Sequence, residues 1–245
     1  MREASIVTGP MRSGTSCVTG LLELCGFDLG RNIRVLRNPT PMNPRGHFEH
    51  DLLFAINERL LVEAGPCGGL FTPPPREELA ALAANRQKYF RIFLKEFDGE
   101  LCKDPLFCLT LAAWLDVWPE LRRAVFCLRN PAEVAVSMRK RYGTDFHEGL
   151  RVWREYSLRF IENSNRINVF IFDYNRFCRE PLDTFSELLN WFGRPVDLEI
   201  LRGHIASFWS APTSTPSPDS DGDALPDDIQ KLYLDLLEVK SLKLK

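Results

Sequence analysis

The segment that most constrains the fold is Gly9-Pro10-Met11-Arg12-Ser13-Gly14-Thr15-Ser16, which follows the short apolar run Ile6-Val7-Thr8. The apolar run predicts a strand, and the two glycines mark a tight turn that leads into a helix. Such a turn directs several backbone N–H groups and the positive end of the helix dipole to one place, which favours binding of phosphate or sulfate. The sequence therefore predicts an anion-binding loop at the end of the first strand.

This loop lacks one residue that nucleoside triphosphatases use. Their motif reads G-x-x-x-x-G-K-[ST], whereas Thr15 stands here in the place of the lysine. The nearest cation is Arg12, inside the loop. The loop therefore requires a different anionic ligand.

The rest of the chain repeats the order of strand, loop and helix. Continuous apolar runs at 123–129 and 168–174 are typical of strands buried on both faces of a parallel sheet, and residues 101–103 predict a shorter strand. Apolar residues at helical spacing predict helices over 17–26, 52–63, 77–97, 106–118, 131–141, 146–163, 181–192 and 229–239. This order predicts an α/β fold, in which a central parallel sheet is flanked by helices in a three-layer, P-loop NTPase-like arrangement with ligands at the carboxyl ends of the strands.

Length and composition predict one large domain. The 245 residues, 44% of them hydrophobic, suffice for a sizeable core, and we assign residues 1–210 to the α/β domain. Residues 211–228 are dominated by Pro, Ser, Thr and Asp, which predicts a flexible linker. Residues 229–245 are expected to form a C-terminal helix or tail.

Charge and cysteine usage bear on partners and compartment. The formal net charge of −2 argues against nucleic acid or a membrane surface as a general partner, and no apolar stretch reaches the ~18 residues of a transmembrane helix. The seven cysteines are scattered and predict buried thiols at Cys102, Cys108 and Cys127 rather than disulfides. Because the first strand starts within a few residues of Met1, no signal peptide is expected. These features predict a cytoplasmic protein.

A second candidate anion site follows the apolar strand in the middle of the chain. Arg129 stands at its carboxyl end, Asn130-Pro131 begins the next helix, and Ser137 lies about two turns into it. A guanidinium and a hydroxyl placed in this way can clamp an anion together. The alternative is a structural ion pair between Arg129 and Glu133. Two separate anion sites favour a nucleotide that is phosphorylated at two distant positions.

Three segments resemble the sulfotransferase family, namely Val7–Ser16, Leu128–Ser137 and Lys103-Asp104-Pro105. The resemblance implies 3′-phosphoadenosine 5′-phosphosulfate (PAPS) as the sulfuryl donor, PAP as the product nucleotide, a hydroxyl or amine as the acceptor, and no metal ion. It assigns the 5′-phosphosulfate to the loop residues Arg12, Ser13, Gly14, Thr15 and Ser16. It assigns the 3′-phosphate to Arg129 and Ser137.

The resemblance also implies a base in the segment 43–50. Some related enzymes use a glutamate in this part of the chain, which makes Glu49 the candidate base, and His47 and His50 are the alternatives. The structural interpretation is that Glu49 caps or pairs near the helix that follows. The two histidines lack a third ligand at metal-binding spacing.

Two cations complete the predicted catalytic set. Arg12 in the loop and Lys103 at the end of its strand are expected to stabilise charge that develops near the leaving phosphate. The alternative for Lys103 is a surface ion pair with Asp104. Where many relatives continue the motif with arginine, this chain has Leu106.

Two other functions are compatible with parts of the pattern. A P-loop nucleoside or sugar kinase would use ATP, but Thr15 replaces the lysine, and the candidate for a metal-binding strand end, Phe172-Asp173, lies late in the chain. A nucleotide-binding protein without catalysis would keep the anion-binding residues but would not need Glu49. The acceptor is expected to be a small molecule or a glycan, and the sequence does not distinguish between them. It does not indicate the oligomeric state either.

Overall fold

The computed structural model describes residues 3–37, 39–40, 43, 45–65, 69–209, 224–239 and 241–242. Its strands are β1 (Ala4–Thr8), β2 (Val35–Leu36), β3 (Glu49–His50), β4 (Leu101–Lys103), β5 (Leu121–Leu128), β6 (Asn168–Asp173) and β7 (Ser241–Leu242). Its α-helices are α1 (Thr15–Leu24), α2 (Asp51–Glu63), α3 (Arg76–Asn85), α4 (Gln87–Glu96), α5 (Phe107–Leu115), α6 (Pro131–Tyr142), α7 (Phe146–Asn163), α8 (Tyr174–Arg179), α9 (Pro181–Trp191), α10 (Leu198–Phe208) and α11 (Asp227–Glu238).

The central sheet has the strand order β4-β1-β5-β6-β7. The first four strands run parallel, which confirms the predicted parallel sheet, and β7 adds an antiparallel edge to β6. Strands β2 and β3 form a separate antiparallel pair. Because β4 and β5 lie on opposite sides of β1, the carboxyl ends of these three strands form a crevice of the kind in which such sheets bind ligands.

Both faces of the sheet are buried, as the continuous apolar strands predict. Successive residues of β5 alternate between two hydrophobic clusters, with Phe126 in one and Val125 and Cys127 in the other. Phe126 stacks on Phe160 of α7, with ring centroids 4.5 Å apart. Helices α5, α6 and α7 cover this face, and α1, α9 and α10 cover the opposite one. The result is the predicted three-layer arrangement.

The prediction of a single helix over 77–97 is wrong, because the structure divides this range into the two helices α3 and α4. The backbone of Arg86 leaves helical geometry (φ −111°, ψ 12°) between them. Beyond this break, Phe90 and Phe93 pack edge-on against Trp114 of α5, with centroids 4.6 and 5.4 Å away. Packing of α4 therefore outweighs the continuous helical pattern of the sequence.

Helices α8 and α10 were not predicted, and each begins with an aspartate cap. Asp173 Oδ1 accepts a hydrogen bond from Arg176 N at 2.9 Å, and Asp197 Oδ1 accepts one from Glu199 N at 2.8 Å. An Asp at this position satisfies a backbone donor that the first helical turn leaves without a partner. This capping signal was present in the sequence.

The C-terminal part packs on the α/β domain. Residues 211–223 of the predicted linker lie outside the described residues, and α11 begins at Asp227, inside the predicted linker range. Ile229 and Leu236 are buried in the core cluster, and Tyr233 contacts Trp153 with ring centroids 6.2 Å apart. None of the helices in the described part of the chain is long and apolar enough to cross a membrane.

Candidate active site

A cavity of about 320 Å³ lies at the carboxyl ends of β1, β4 and β5. Most of the residues predicted for the site line it: Arg12, Gly14, Thr15, Ser16, His47, Glu49, Lys103 and Arg129. Among the described residues, Ser13, Ser137 and His50 are not part of its lining. The fold thus brings together residues from four separate stretches of the chain.

The first turn of α1 presents its backbone N–H groups to the cavity. Gly14 precedes the helix in a left-handed conformation (φ 87°), no side chain of the described residues caps it, and the first turn holds no acidic residue. Helix geometry leaves the N–H groups of the first turn without intrahelical partners. Thr15, Ser16 and Cys17 line the cavity at this point. The helix end is therefore suited to a negatively charged group.

The loop before α1 is packed tightly against the residues behind it. A Cβ atom on Gly14 would lie 2.3 Å from the ring of Tyr174, and one on Gly9 would lie 2.5 Å from the Cys127 carbonyl oxygen. Arg12 has a positive φ of 71°, which is uncommon for a residue with a side chain. Gly9 and Gly14 are required because neighbouring atoms leave no room for a side chain and because both have a positive φ.

Arg12 joins the loop to the second predicted anion site. Its Nε donates to Ser137 Oγ at 3.1 Å, and its carbonyl oxygen accepts a hydrogen bond from Arg129 Nη1 at 3.1 Å. The guanidinium of Arg129 also lies 5.4 Å from the centroid of the Tyr174 ring. The two predicted anion sites are therefore adjacent in the fold.

The alternative proposed for Arg129, an ion pair with Glu133, is present in the structure. Arg129 Nε donates to Glu133 Oε2 at 2.9 Å, while Arg129 lines the cavity. Asn175 of α8 donates to the other oxygen of Glu133 at 2.7 Å and accepts from the backbone N–H of Asn130 at 2.8 Å. Asn175 thus fixes the pair that holds Arg129. Sequence reasoning missed Asn175 because it missed α8.

Lys103 and Glu49 form a buried ion pair at the cavity. Lys103 Nζ donates to Glu49 Oε1 at 2.5 Å, and the side chains are 2% and 13% exposed. The alternative interpretation of Lys103 as a surface residue paired with Asp104 is therefore wrong. The structural alternatives for Glu49 were capping and pairing, and pairing is present in its bond with Lys103. Capping by Glu49 is wrong, because His50 is the N-cap of α2 and the side chain that accepts from Leu52 N in the first turn is that of Asp51.

Asp104 is a second carboxyl group at the cavity, and it is fully buried. Its two oxygens accept from Asn57 Nδ2 at 2.8 Å and from the backbone N–H of Leu106 at 2.9 Å. Thr110 and Trp114 both donate to the amide oxygen of Asn57, which fixes its amide nitrogen toward Asp104. Burial, together with the nearby charge of Glu49, raises the pKa of Asp104 to about 7.

The two histidine candidates lie in different surroundings. His47 lines the cavity, where burial is the main cause that lowers its pKa, so its imidazole is neutral at neutral pH. His50 is buried behind the site, where its Nε2 lies 2.6 Å from the carbonyl oxygen of Leu29 and its ring packs against Phe97. The structure therefore does not support His50 as a base, which leaves His47 as the alternative to Glu49.

No cluster in the described part of the chain combines three His, Cys, Asp or Glu side chains in a position to hold a metal ion. Ser13 Oγ is buried without a hydrogen-bond partner in the described structure. A buried hydroxyl of this kind is a place where a bound group can supply the missing partner.

Comparison with solved structures decides the fold. The sulfotransferase STF9 from Mycobacterium avium superposes with a TM-score of 0.56 at 15% identity, over 97% of this chain and 76% of that protein. The sulfotransferase domain of the Synechococcus PCC 7002 olefin synthase gives 0.54 at 16% identity, over 97% and 94%. The chain has the sulfotransferase fold.

A third solved structure, also a sulfotransferase domain, aligns with this chain over its full length. The sulfotransferase domain from the curacin biosynthetic pathway matches with a TM-score of 0.52 at 14% identity, covering 100% of this chain and 99% of that domain. No protein-family model matches the chain, and the comparison with curated proteins gives no match. The resemblance predicted from three short motifs is therefore confirmed at the level of the fold.

Proposed function

We propose that this protein transfers a sulfuryl group from PAPS to an acceptor hydroxyl or amine. The observation that carries the proposal is the Lys103–Glu49 pair, which places a carboxylate and a cation together beside the anion-binding loop. A base and a charge-stabilising cation are the two groups that such a transfer needs. The sulfotransferase fold supports the same conclusion.

The residues present fit a donor that carries anions at two positions. The 5′-phosphosulfate would be held by Arg12, the N–H groups of the first turn of α1 and the hydroxyl of Thr15, which lines the cavity. Ser16 Oγ donates to the His47 carbonyl at 3.1 Å, so Ser16 would contribute through its backbone N–H. The 3′-phosphate would be held by Arg129 and Ser137. Because Ser137 Oγ accepts from Arg12, its own proton is left to donate to a phosphate oxygen.

The ion pair suggests how proton removal and charge stabilisation are linked. The acceptor oxygen forms a bond to sulfur while the bond between sulfur and the bridging phosphate oxygen breaks, and the acceptor proton goes to Glu49. Once protonated, Glu49 no longer carries the charge that holds Lys103. The ammonium group is then available to the leaving oxygen, together with Arg12.

The first prediction is that PAP raises the melting temperature and that ATP with magnesium does so much less. A ligand at 100 times its dissociation constant adds about 2.7 kcal/mol, and a chain of this size gains roughly 2–4 °C per kcal/mol. We therefore expect a shift of several degrees in a thermal-shift experiment with PAP. Inorganic sulfate serves as the control for a simple anion effect. Equal stabilisation by ATP would favour the kinase alternative, and no response to PAP would overturn the donor assignment.

The second prediction concerns Arg129. The Arg129→Ala variant loses a charge-assisted hydrogen bond to the nucleotide. We expect this loss to weaken PAP binding by about 1.5–3 kcal/mol. Calorimetric titration with PAP measures the effect. Arg154→Ala is the matched control because Arg154 pairs with Asp228 at the surface, away from the cavity. Unchanged PAP affinity, or loss of folding in Arg129→Ala alone, would show that Arg129 acts through its pair with Glu133.

Cytoplasmic location and the lack of a nucleic-acid partner stay predictions from composition. The sequence leaves the acceptor open between a small molecule and a glycan. The lining of the cavity bears directly on this choice.

A further inference from the structure

The cavity has an apolar wall beside the catalytic pair. This wall consists of Phe54, Leu70, Leu106 and the ring of Tyr142, all of which line the cavity. Phe54 lies in the first turn of α2, immediately after the strand that carries Glu49, and Leu106 follows Lys103 by three residues. The apolar wall is therefore next to the atoms at which an acceptor would react.

Contacts with the surrounding helices hold the apolar wall in place. The Tyr156 hydroxyl of α7 donates to the Leu70 carbonyl at 2.8 Å, and Arg151 Nη2 donates to the Phe71 carbonyl at 3.0 Å. The Phe71 ring packs on Tyr142, with centroids 5.2 Å apart. Leu106 is tied by its backbone N–H to Asp104. The wall is thus largely formed before any acceptor arrives.

The charged groups next to the apolar wall already have partners. Lys103 and Glu49 bond to each other, and both oxygens of Asp104 accept hydrogen bonds from within the protein. A glycan places several hydroxyls in its site, and each one that is buried without a partner is unfavourable. An acceptor with an apolar carbon skeleton instead binds more favourably, because packing against this wall removes its apolar surface from water.

Proton transfer also distinguishes a hydroxyl from an amine. An alkyl amine is an ammonium ion at neutral pH and must lose a proton before its nitrogen can react. A hydroxyl is neutral and can donate its proton directly to Glu49 while its oxygen reacts. The apolar wall and the Glu49 carboxylate therefore favour the same kind of acceptor.

On the basis of the proposed function, we infer that the acceptor is an alcohol or phenol whose carbon body packs against the apolar wall, rather than a glycan. The hydroxyl oxygen forms the new bond to sulfur, the bond between sulfur and the bridging phosphate oxygen of PAPS breaks, and the hydroxyl proton goes to Glu49. The products are PAP and the anionic sulfate monoester of the alcohol or phenol.

Binding in the PAP complex tests this inference without requiring turnover. We expect 2-naphthol to give saturation-transfer NMR signals with the protein in the presence of PAP, and methyl β-D-glucoside to give none. Leu70→Gln should weaken 2-naphthol binding about tenfold, because it places an amide in the apolar wall. Leu82→Gln is the matched control, since Leu82 is a half-buried leucine of α3 that does not line the cavity.

Melting temperature and PAP affinity of Leu70→Gln should match those of the control variant. Preferential binding or sulfation of the glucoside, or 2-naphthol binding that is insensitive to Leu70→Gln, would overturn the inference while leaving the proposed function intact. Absence of PAP binding by the wild-type protein would instead overturn the proposed function itself.

Discussion

Glu49→Gln is expected to lower the rate of sulfuryl transfer by about 100- to 10,000-fold, the usual contribution of a general base. Glutamine keeps the size of the side chain and can still accept a hydrogen bond from Lys103, but it cannot take the acceptor proton. PAP binding should therefore be unchanged. The measurement is the rate of PAP formation from PAPS with an alcohol that the wild-type protein sulfates, alongside a PAP titration of the same variant.

His47→Gln is the control for this prediction, because His47 is the histidine candidate for the base that lines the cavity. Its loss should cost much less than the loss of the Glu49 carboxylate. Wild-type turnover in Glu49→Gln combined with a large loss in His47→Gln would assign the base to His47. Loss of PAP binding in Glu49→Gln would show that the Lys103–Glu49 pair supports the anion-binding loop.

Lys103→Met is expected to lower turnover by about 100- to 1,000-fold, as removal of a single charge-stabilising group does in other transfer enzymes. Lys103 is almost fully buried, so the unbranched methionine should fill most of its space. The variant also leaves Glu49 without its cationic partner, which is expected to change the pH dependence of the rate. The measurement is a pH–rate profile of the variant beside that of the wild type. Lys88→Met is the matched control because Lys88 is an exposed lysine of α4.

The double variant Glu49→Gln/Lys103→Met separates two roles for the pair. If protonation of Glu49 releases Lys103, the two residues act as one unit, and the double variant should be about as slow as the slower single variant. Losses that multiply would show that the two groups act independently. Wild-type turnover in Lys103→Met would show that Lys103 only positions Glu49 and does not stabilise charge during the transfer.

Local sequence signals determined the frame of the site. The glycines of the loop predicted the turn because only residues without a side chain fit at Gly9 and Gly14. The Asn130-Pro131 signal predicted the start of α6, where the Asn130 side chain accepts from the N–H groups of Ala132 and Glu133. Continuous apolar runs predicted parallel strands because such strands are buried on both faces. Each of these signals acts over a few residues.

The partners of the site residues depend on contacts between distant parts of the chain. Lys103 and Glu49 are 54 positions apart, and Arg12 and Ser137 are 125 positions apart. Asn175 fixes the Arg129–Glu133 pair from a short helix that the sequence pattern did not reveal. Such pairs follow from the packing of whole elements, which propensity and spacing do not encode.

The segment 47–50 shows most clearly what the sequence determined and what only the tertiary structure decided. The resemblance to sulfotransferases, together with the residue types, marked residues 43–50 as the source of a base, with Glu49 and two histidines as candidates. The pairing of β2 with β3 then set which side chains face the cavity. Glu49 and His50 are consecutive in a strand and therefore point to opposite sides, one toward Lys103 and the other toward the aromatic core at Phe97. A shift of register by one residue would exchange their positions, so the choice between them belongs to the folded structure.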